Sequence, residues 1–106
     1  MDNERILKFM VSKQIVGKYP DCDFSGIVKG SEGYLTAMFV FSREWYGCKI
    51  AASFWSGEKE YAVPVKNGRC AIPAEALKRN QFYVSLTGVM EGYKITTNKL
   101  KVSQEG

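Results

Sequence analysis

The side chains that most often carry out catalysis are scarce in this sequence. The chain has no histidine, so its serine and cysteine side chains have no imidazole to activate them. Close pairs of carboxylates such as Asp21 with Asp23 and Glu58 with Glu60 lie in turn-forming segments where solvated acids are usual. The sequence therefore indicates a protein that is not an enzyme and has no catalytic residues.

The cysteines and glycines do not form a recognisable metal or phosphate site. Cys22, Cys48 and Cys70 are an odd number with no Cys-x-x-Cys spacing, which fits neither a structural zinc site nor a disulfide framework. We expect reduced, buried thiols. The glycine-containing segments GSEGYLTA and KNGR lack the strand-to-helix context and the Lys-Ser/Thr pair of a phosphate loop. No metal and no cofactor are predicted.

Three aromatic side chains are the most suggestive of ligand binding. Trp45, Tyr46 and Trp55 form a candidate platform for a sugar of a host-surface glycan, since exposed rings stack on sugars or anchor protein interfaces. Alternation places Trp55 opposite Phe54 and away from the predicted core. Each tryptophan also has a purely structural alternative. Trp45 could plug the end of the core, which we prefer to a ligand role, and Trp55 could pack on the final loop, which we weigh equally with a ligand role.

The charge pattern gives little support to a nucleic-acid partner. Lys and Arg number 15 and Asp and Glu 11, for a net charge of +4, and the cations are scattered singly. A stacking platform for single-stranded nucleic acid would require that several side chains of the last hairpin share a face. These are Tyr83, Tyr93, Lys94, Lys99 and Lys101. Lysines on a sheet edge more commonly prevent aggregation, so nucleic acid is not the expected partner.

The segment YLTAMFVF, residues 34–41, is apolar on both alternating sets of positions. A strand in a two-layer sandwich usually has one polar face. Tyr34, Met38 and Val40 therefore either meet a flanking loop or form a contact surface. We predict that these three residues belong to a subunit interface, and hence that the protein forms a homo-oligomer.

The remaining segments predict short strands separated by turn signals. The first spans residues 5–16, with Leu7, Phe9, Val11 and Ile15 on its inner face. Later strands are predicted at residues 48–55, 61–66, 70–72, 81–89 and 93–102, the last with a bulge or break at Thr97-Asn98. Because Pro64 has no amide to donate, its strand should lie at a sheet edge or contain a bulge. The segment IPAEAL, residues 72–77, is predicted to cross between two sheets through one helical turn near residues 73–77, with Ile72 and Leu77 in the core.

These elements predict one domain over residues 1–106. About seven short strands, turn signals every 8–12 residues or so and no long amphipathic helix indicate an all-β, immunoglobulin-like antiparallel β-sandwich. A small closed barrel is the alternative. The N-terminal segment MDNERILKFMVSK has acidic residues first and no long apolar run. We expect synthesis in a cytoplasm and no membrane partner.

Several segments, read in order, resemble small proteins of bacteriophages and prophages of Gram-positive bacteria. They include FVFSREWYG, EYAVPV, CAIPAEAL, FYVSLTGV and YKITTNKLKV. The chain is similar over nearly its full length to the N-terminal sandwich domain of phage baseplate and tail proteins. The resemblance implies a noncatalytic structural or assembly module, made in the bacterial host cytoplasm and incorporated into the tail or baseplate of the virion through contacts with other phage structural proteins.

The resemblance also bears on which kind of subunit this is. Baseplate proteins of this type usually continue into a fibre or receptor-binding region, whereas this sequence stops at Gly106. It therefore favours a small accessory or adaptor subunit. Two other functions stay open from the residues: a carbohydrate-binding module that uses the exposed aromatics, and single-stranded nucleic-acid binding, which is the less favoured.

Overall fold

The computed structural model describes residues 4–106. Nine strands are present in this part of the chain. They are β1 (Arg5–Ser12), β2 (Ile15–Lys18), β3 (Leu35–Phe41), β4 (Lys49–Ser56), β5 (Lys59–Val65), β6 (Arg69–Ala71), β7 (Gln81–Met90), β8 (Tyr93–Thr96) and β9 (Leu100–Ser103). Two 3-10 turns, Arg43–Trp45 and Ala74–Leu77, complete the regular structure, where the sequence predicted only the second. No helix among these residues is long and apolar enough to cross a membrane.

The strands form two sheets, which confirms the predicted all-β sandwich. The first sheet has the order β2-β1-β3-β6, and the second has the order β5-β4-β7, with β8 and β9 both paired to β7. One pairing departs from the antiparallel expectation, because β1 and β3 run parallel from Arg5 opposite Leu35 to Val11 opposite Phe41. The loop of residues 19–34 carries the chain back to the end where β1 begins, so β3 starts in the same direction.

The first predicted strand, residues 5–16, is in fact a hairpin. Lys13 adopts a positive φ of 56° and turns the chain between β1 and β2. After this turn the alternation changes sides: Val16 is buried, whereas Ile15 is 65% exposed. The prediction that Ile15 faces the core was therefore wrong. This hairpin and the interrupted final strand account for nine strands instead of about seven.

The predicted break at Thr97-Asn98 is confirmed. β8 pairs with β7 from Thr87 to Met90, and β9 pairs with β7 from Gln81 to Val84. Between them the Thr97 hydroxyl accepts a hydrogen bond from the Leu86 amide at 2.9 Å, and the Thr97 amide donates to the Leu86 carbonyl at 3.0 Å. The chain thus stays attached to β7 while the regular ladder is interrupted.

The predicted crossover at residues 72–77 is also confirmed. The 3-10 turn Ala74–Leu77 connects β6 of the first sheet with β7 of the second. Ile72 and Leu77, at its two ends, are 3% and 1% exposed, so apolar burial fixes the connection to the core. Pro73 precedes the turn with a φ of −65°, the value its ring imposes.

The core lies between the sheets and is closed at one end by Trp45. Its largest fully buried members, besides Trp45, are Phe9, Phe54, Phe82, Leu7, Leu77 and Leu86. The indole Nε1 of Trp45 donates to the Lys13 carbonyl at 2.8 Å, which satisfies its polar atom. Gly88 leaves room for the ring, because a Cβ atom there would lie 2.8 Å from Cε3 of Trp45.

Candidate functional site

Two of the three predicted interface residues lie together on the outer face of the first sheet. Met38 is half-buried and Val40 is 44% exposed, on alternate positions of β3. Tyr34 is 45% exposed but lies six positions before Val40, a separation of about 20 Å along an extended chain. Thr36 lies between, and its hydroxyl donates to a carboxylate oxygen of Glu4 at 2.7 Å. The structure thus separates Tyr34 from Met38 and Val40.

Neighbouring strands extend the surface around Met38 and Val40. Met10 of β1 is directly opposite Val40 and is 39% exposed. Ile15 of β2, 65% exposed, pairs with Ser12 on the same outer face. We call Met10, Ile15, Met38 and Val40 the apolar patch.

Two members of the apolar patch escaped the sequence-based prediction for different reasons. Met10 has the parity of the outward residues Lys8 and Ser12, so alternation alone could have identified it. Ile15 could not be identified in this way, because its side depends on the turn at Lys13. Only the hairpin register places it beside the β1 residues of this face.

The two cations that flank Met38 have contacts within the chain. The ammonium group of Lys8, opposite Met38, lies 4.2 Å from the centre of the Tyr19 ring. Arg69, on the other side of Met38, pairs with Glu4 at 3.6 Å. The exposed Lys13 lies at the other end of the apolar patch, in the turn before Ile15.

The three aromatic residues predicted as a ligand platform do not form one surface. Trp45 is 1% exposed and fills the end of the core, as the preferred alternative predicted, so its ring cannot receive a ligand. Tyr46 is 68% exposed in the segment that follows the first 3-10 turn. Trp55 lies on β4, paired with Glu60 and Tyr83 on the outer face of the second sheet. A platform made by all three residues is excluded.

The ring of Trp55 is already covered from within the chain. Its Nε1 donates to the Ser85 hydroxyl at 3.0 Å, which holds the indole against the sheet. The ammonium group of Lys99, from the loop between β8 and β9, lies 3.6 Å from the ring centre. This arrangement matches the alternative in which Trp55 packs on the final loop.

A shallow groove of about 270 Å³ lies on the same outer face, toward the start of β4. Ala51 of β4 faces Pro64 and Thr87 on its two neighbours, and Ala62 lies beside Pro64 on β5. Small side chains on adjacent strands create the depression, and Val89 forms part of its wall. The lining is mostly apolar, and Lys49 and Thr87 are its residues with polar side chains.

Exposed lysines surround this groove and continue along the sheet. Lys49 and Lys94 both pair with Val89 at the groove, from opposite sides of β7. Lys101 pairs with Tyr83 at the far end, near Lys99. We call this outer face of the second sheet, with the groove and Lys49, Lys94, Lys99 and Lys101, the basic face.

The basic face carries few acidic strand residues to offset its lysines. Its glutamate, Glu60, accepts a hydrogen bond from the Ser53 hydroxyl on the adjacent strand. Tyr83 lies on this face, but Tyr93 faces the other side of the sheet, where its hydroxyl donates to the Glu44 carbonyl at 2.9 Å. The aromatic and basic residues of the last hairpin therefore do not all share one face, as the nucleic-acid alternative required.

Asp23 and Cys70 have pKa values shifted by their surroundings, and of the three free thiols only Cys70 is buried, whereas Cys22 and Cys48 are half-buried against the expectation from the sequence. Hydrogen bonds from the side chain and backbone of Ser25, at 2.6 and 2.8 Å, lower the pKa of Asp23, and the nearby Arg5 charge has a smaller effect in the same direction. Burial raises the pKa of the Cys70 thiol to about 12, which makes it a poor nucleophile. Within residues 4–106, no cluster of three or more His, Cys, Asp or Glu side chains could hold a metal ion.

Comparisons with protein-family models, with curated proteins and with solved structures gave no match. The apolar patch and the basic face lie on opposite outer faces of the sandwich, and they differ in charge and in polarity.

Proposed function

We propose that this protein is a noncatalytic assembly module that docks against a second copy of itself through the apolar patch. The observation that carries the proposal is the set of apolar side chains on the outer face of three neighbouring strands, with the exposed Val40 directly opposite the exposed Met10. Homodimer interfaces are richer in apolar area and poorer in charge than the rest of a protein surface. Methionine side chains also adapt their shape to a partner at low cost.

The state of the bordering charges supports a second copy as the partner. An interface around a two-fold axis brings the same patch of each subunit together, so unpaired charges of one sign would face charges of the same sign. The two cations beside Met38 already have contacts within the chain, Lys8 with Tyr19 and Arg69 with Glu4. Burying this surface against itself would leave these intrachain contacts intact.

The biological setting of this assembly is proposed from the sequence resemblance alone. Segments such as FVFSREWYG and CAIPAEAL resemble the N-terminal sandwich domain of phage baseplate and tail proteins. We therefore place the module in a bacteriophage tail or baseplate, where it would contact other phage structural proteins as well as its own copy. Its role would be to connect subunits.

The experiment is a measurement of molar mass by size-exclusion chromatography with light scattering, over a range of protein concentrations. The native protein is expected to form a dimer. Val40→Lys should shift it to the monomer, because the interface would then bury two unpaired ammonium groups. Val89→Lys is the matched control, since Val89 is 48% exposed on the opposite face. A native protein that stays monomeric at the highest concentration, or a dimer unaffected by Val40→Lys, would contradict the proposal.

A further inference from the structure

The basic face differs from the apolar patch in a way that points to another kind of partner. Within residues 4–106, Lys49, Lys94 and Lys101 have no carboxylate within ion-pair distance. A second copy of this face would therefore bring like charges together, which opposes self-association. Charge complementarity calls for an acidic partner instead.

The size and the lining of the groove determine which part of an acidic partner it can hold. Its volume of about 270 Å³ lies just below the range of roughly 300–1,000 Å³ that is typical of sites for whole small molecules. Most of the lining is apolar, with Ala51, Ala62 and Pro64 contributing no hydrogen-bonding side chain, and Lys49 and Thr87 are its polar members. One aliphatic or aromatic side chain suits this space.

The aromatic residues on this face argue against a sugar or a nucleic-acid strand. Both ligands use open aromatic rings as stacking surfaces. The ammonium group of Lys99 lies over the Trp55 ring, 3.6 Å from its centre, and the indole Nε1 is engaged by Ser85. The half-buried Tyr83 alone does not provide successive rings for stacking.

We propose that the basic face binds an acidic, extended segment of another protein. An apolar side chain of that segment occupies the groove between Pro64 and Val89, and its carboxylates pair with Lys49 and Lys94 at the groove and with Lys101 farther along. The face runs from Lys49 to Trp55, about 20 Å of extended chain, so it accommodates about six residues of the partner.

Fluorescence anisotropy with dye-labelled synthetic peptides tests this proposal. The first peptide has glutamates and aspartates on both sides of a central leucine. The second replaces every carboxylate with the corresponding amide, and the third replaces the leucine with serine. We expect saturable binding of the first peptide at low salt and at least about tenfold weaker binding of each of the other two.

Variants of the protein locate the site. Charge reversal at Lys49→Glu with Lys94→Glu should weaken binding of the first peptide by at least about tenfold, because both ion pairs become repulsive. Ala62→Trp should also weaken it, because the indole fills the groove. Lys78→Glu, at an exposed lysine on the crossover, is the charge control and should retain binding. Val40→Lys should retain it as well, so this result stands apart from the dimer experiment.

Several outcomes would overturn the inference. They are equal binding of the acidic and amide peptides, absence of binding to the acidic peptide, and loss of binding in Lys78→Glu to the same extent as in the double variant. Tighter binding of a single-stranded oligothymidylate or of a sulfated oligosaccharide, lost in the double variant, would assign the basic face to that polyanion instead.

Discussion

The side-chain oxygen Oδ1 of Asn98 accepts a hydrogen bond from the backbone amide of Val16 at 2.9 Å. Asn98 belongs to the break between β8 and β9 in the second sheet, whereas Val16 belongs to the outer strand of the first. The amide of Asn98 also donates to the carbonyl of Gln14 at 3.2 Å. These contacts connect the two sheets along one side of the sandwich and give the edge strand β2 a partner.

Removing the Asn98 side chain should destabilise the protein. Asn98→Ala leaves the amide of Val16 without its acceptor, at an expected cost of about 1–2 kcal/mol. Urea unfolding followed by tryptophan fluorescence would measure this change. Asn98→Asp keeps an acceptor oxygen and is the control, expected to lose less stability. Equal stability of Asn98→Ala and the native protein would show that this hydrogen bond contributes nothing net.

Gly88 should not tolerate a side chain. An added Cβ would lie 2.8 Å from Cε3 of Trp45 and 3.2 Å from Cβ of Cys48, so Gly88→Ala must displace a buried ring. We expect a loss of about 1–3 kcal/mol, measured by thermal unfolding. Gly17→Ala is the matched control in another strand, because no atom lies within 4 Å of the Cβ added there. Similar melting temperatures for the two variants would contradict the packing described around Trp45.

The crossover at Ala74–Leu77 should depend on the burial of Leu77. Leu77→Asp places a carboxylate at a site that is 1% exposed, and we expect it to cost at least about 3 kcal/mol. Lys78→Asp, at the exposed neighbouring residue, should have a much smaller effect. Circular dichroism during thermal unfolding would measure the melting temperatures of the two variants. An unchanged melting temperature in Leu77→Asp would contradict the assignment of the crossover to the core.

Cys70 should make stability depend on pH in the alkaline range. Its pKa in the folded state is about 12, against 9.0 when unperturbed, because burial disfavours the thiolate. The stabilisation that Cys70 gives the folded state is therefore fully present below pH 9. As the pH rises from 9 toward 12, the thiol ionises in the unfolded chain first, and the free energy of unfolding falls by up to about 1.4 kcal/mol per pH unit. Urea unfolding at pH 8 and pH 10.5 should show a smaller decline in Cys70→Ala than in the native protein. Equal declines would contradict this assignment.

Much of the fold follows from local patterns in the sequence. The alternation of Phe82, Val84 and Leu86 predicted their burial in β7, and all three are at most 1% exposed. Pro64 predicted an edge strand or a bulge because it has no amide to donate, and the first alternative is confirmed, since β5 lies at the edge of the second sheet. In such segments each residue is constrained by its immediate neighbours, so the sequence pattern is sufficient.

Features that depend on a single register or on distant contacts were not predictable in this way. The turn at Lys13 moved Ile15 to the outer face, since a shift of one residue exchanges the two faces of a strand. The groove depends on small residues that meet only when β4, β5 and β7 are paired. For the candidate interface, the sequence identified Met38 and Val40, whereas Ile15 could be placed on this face only from the hairpin register.

The position of the two sheets back to back has a consequence for valency. A dimer formed through the apolar patch would bury the first sheet of each copy at its centre, and the second sheets would face outward in opposite directions. Each dimer would then present two identical basic faces, one at either end of the assembly. Such a particle would act as a bivalent connector, able to bridge two acidic segments that a monomer could only bind one at a time.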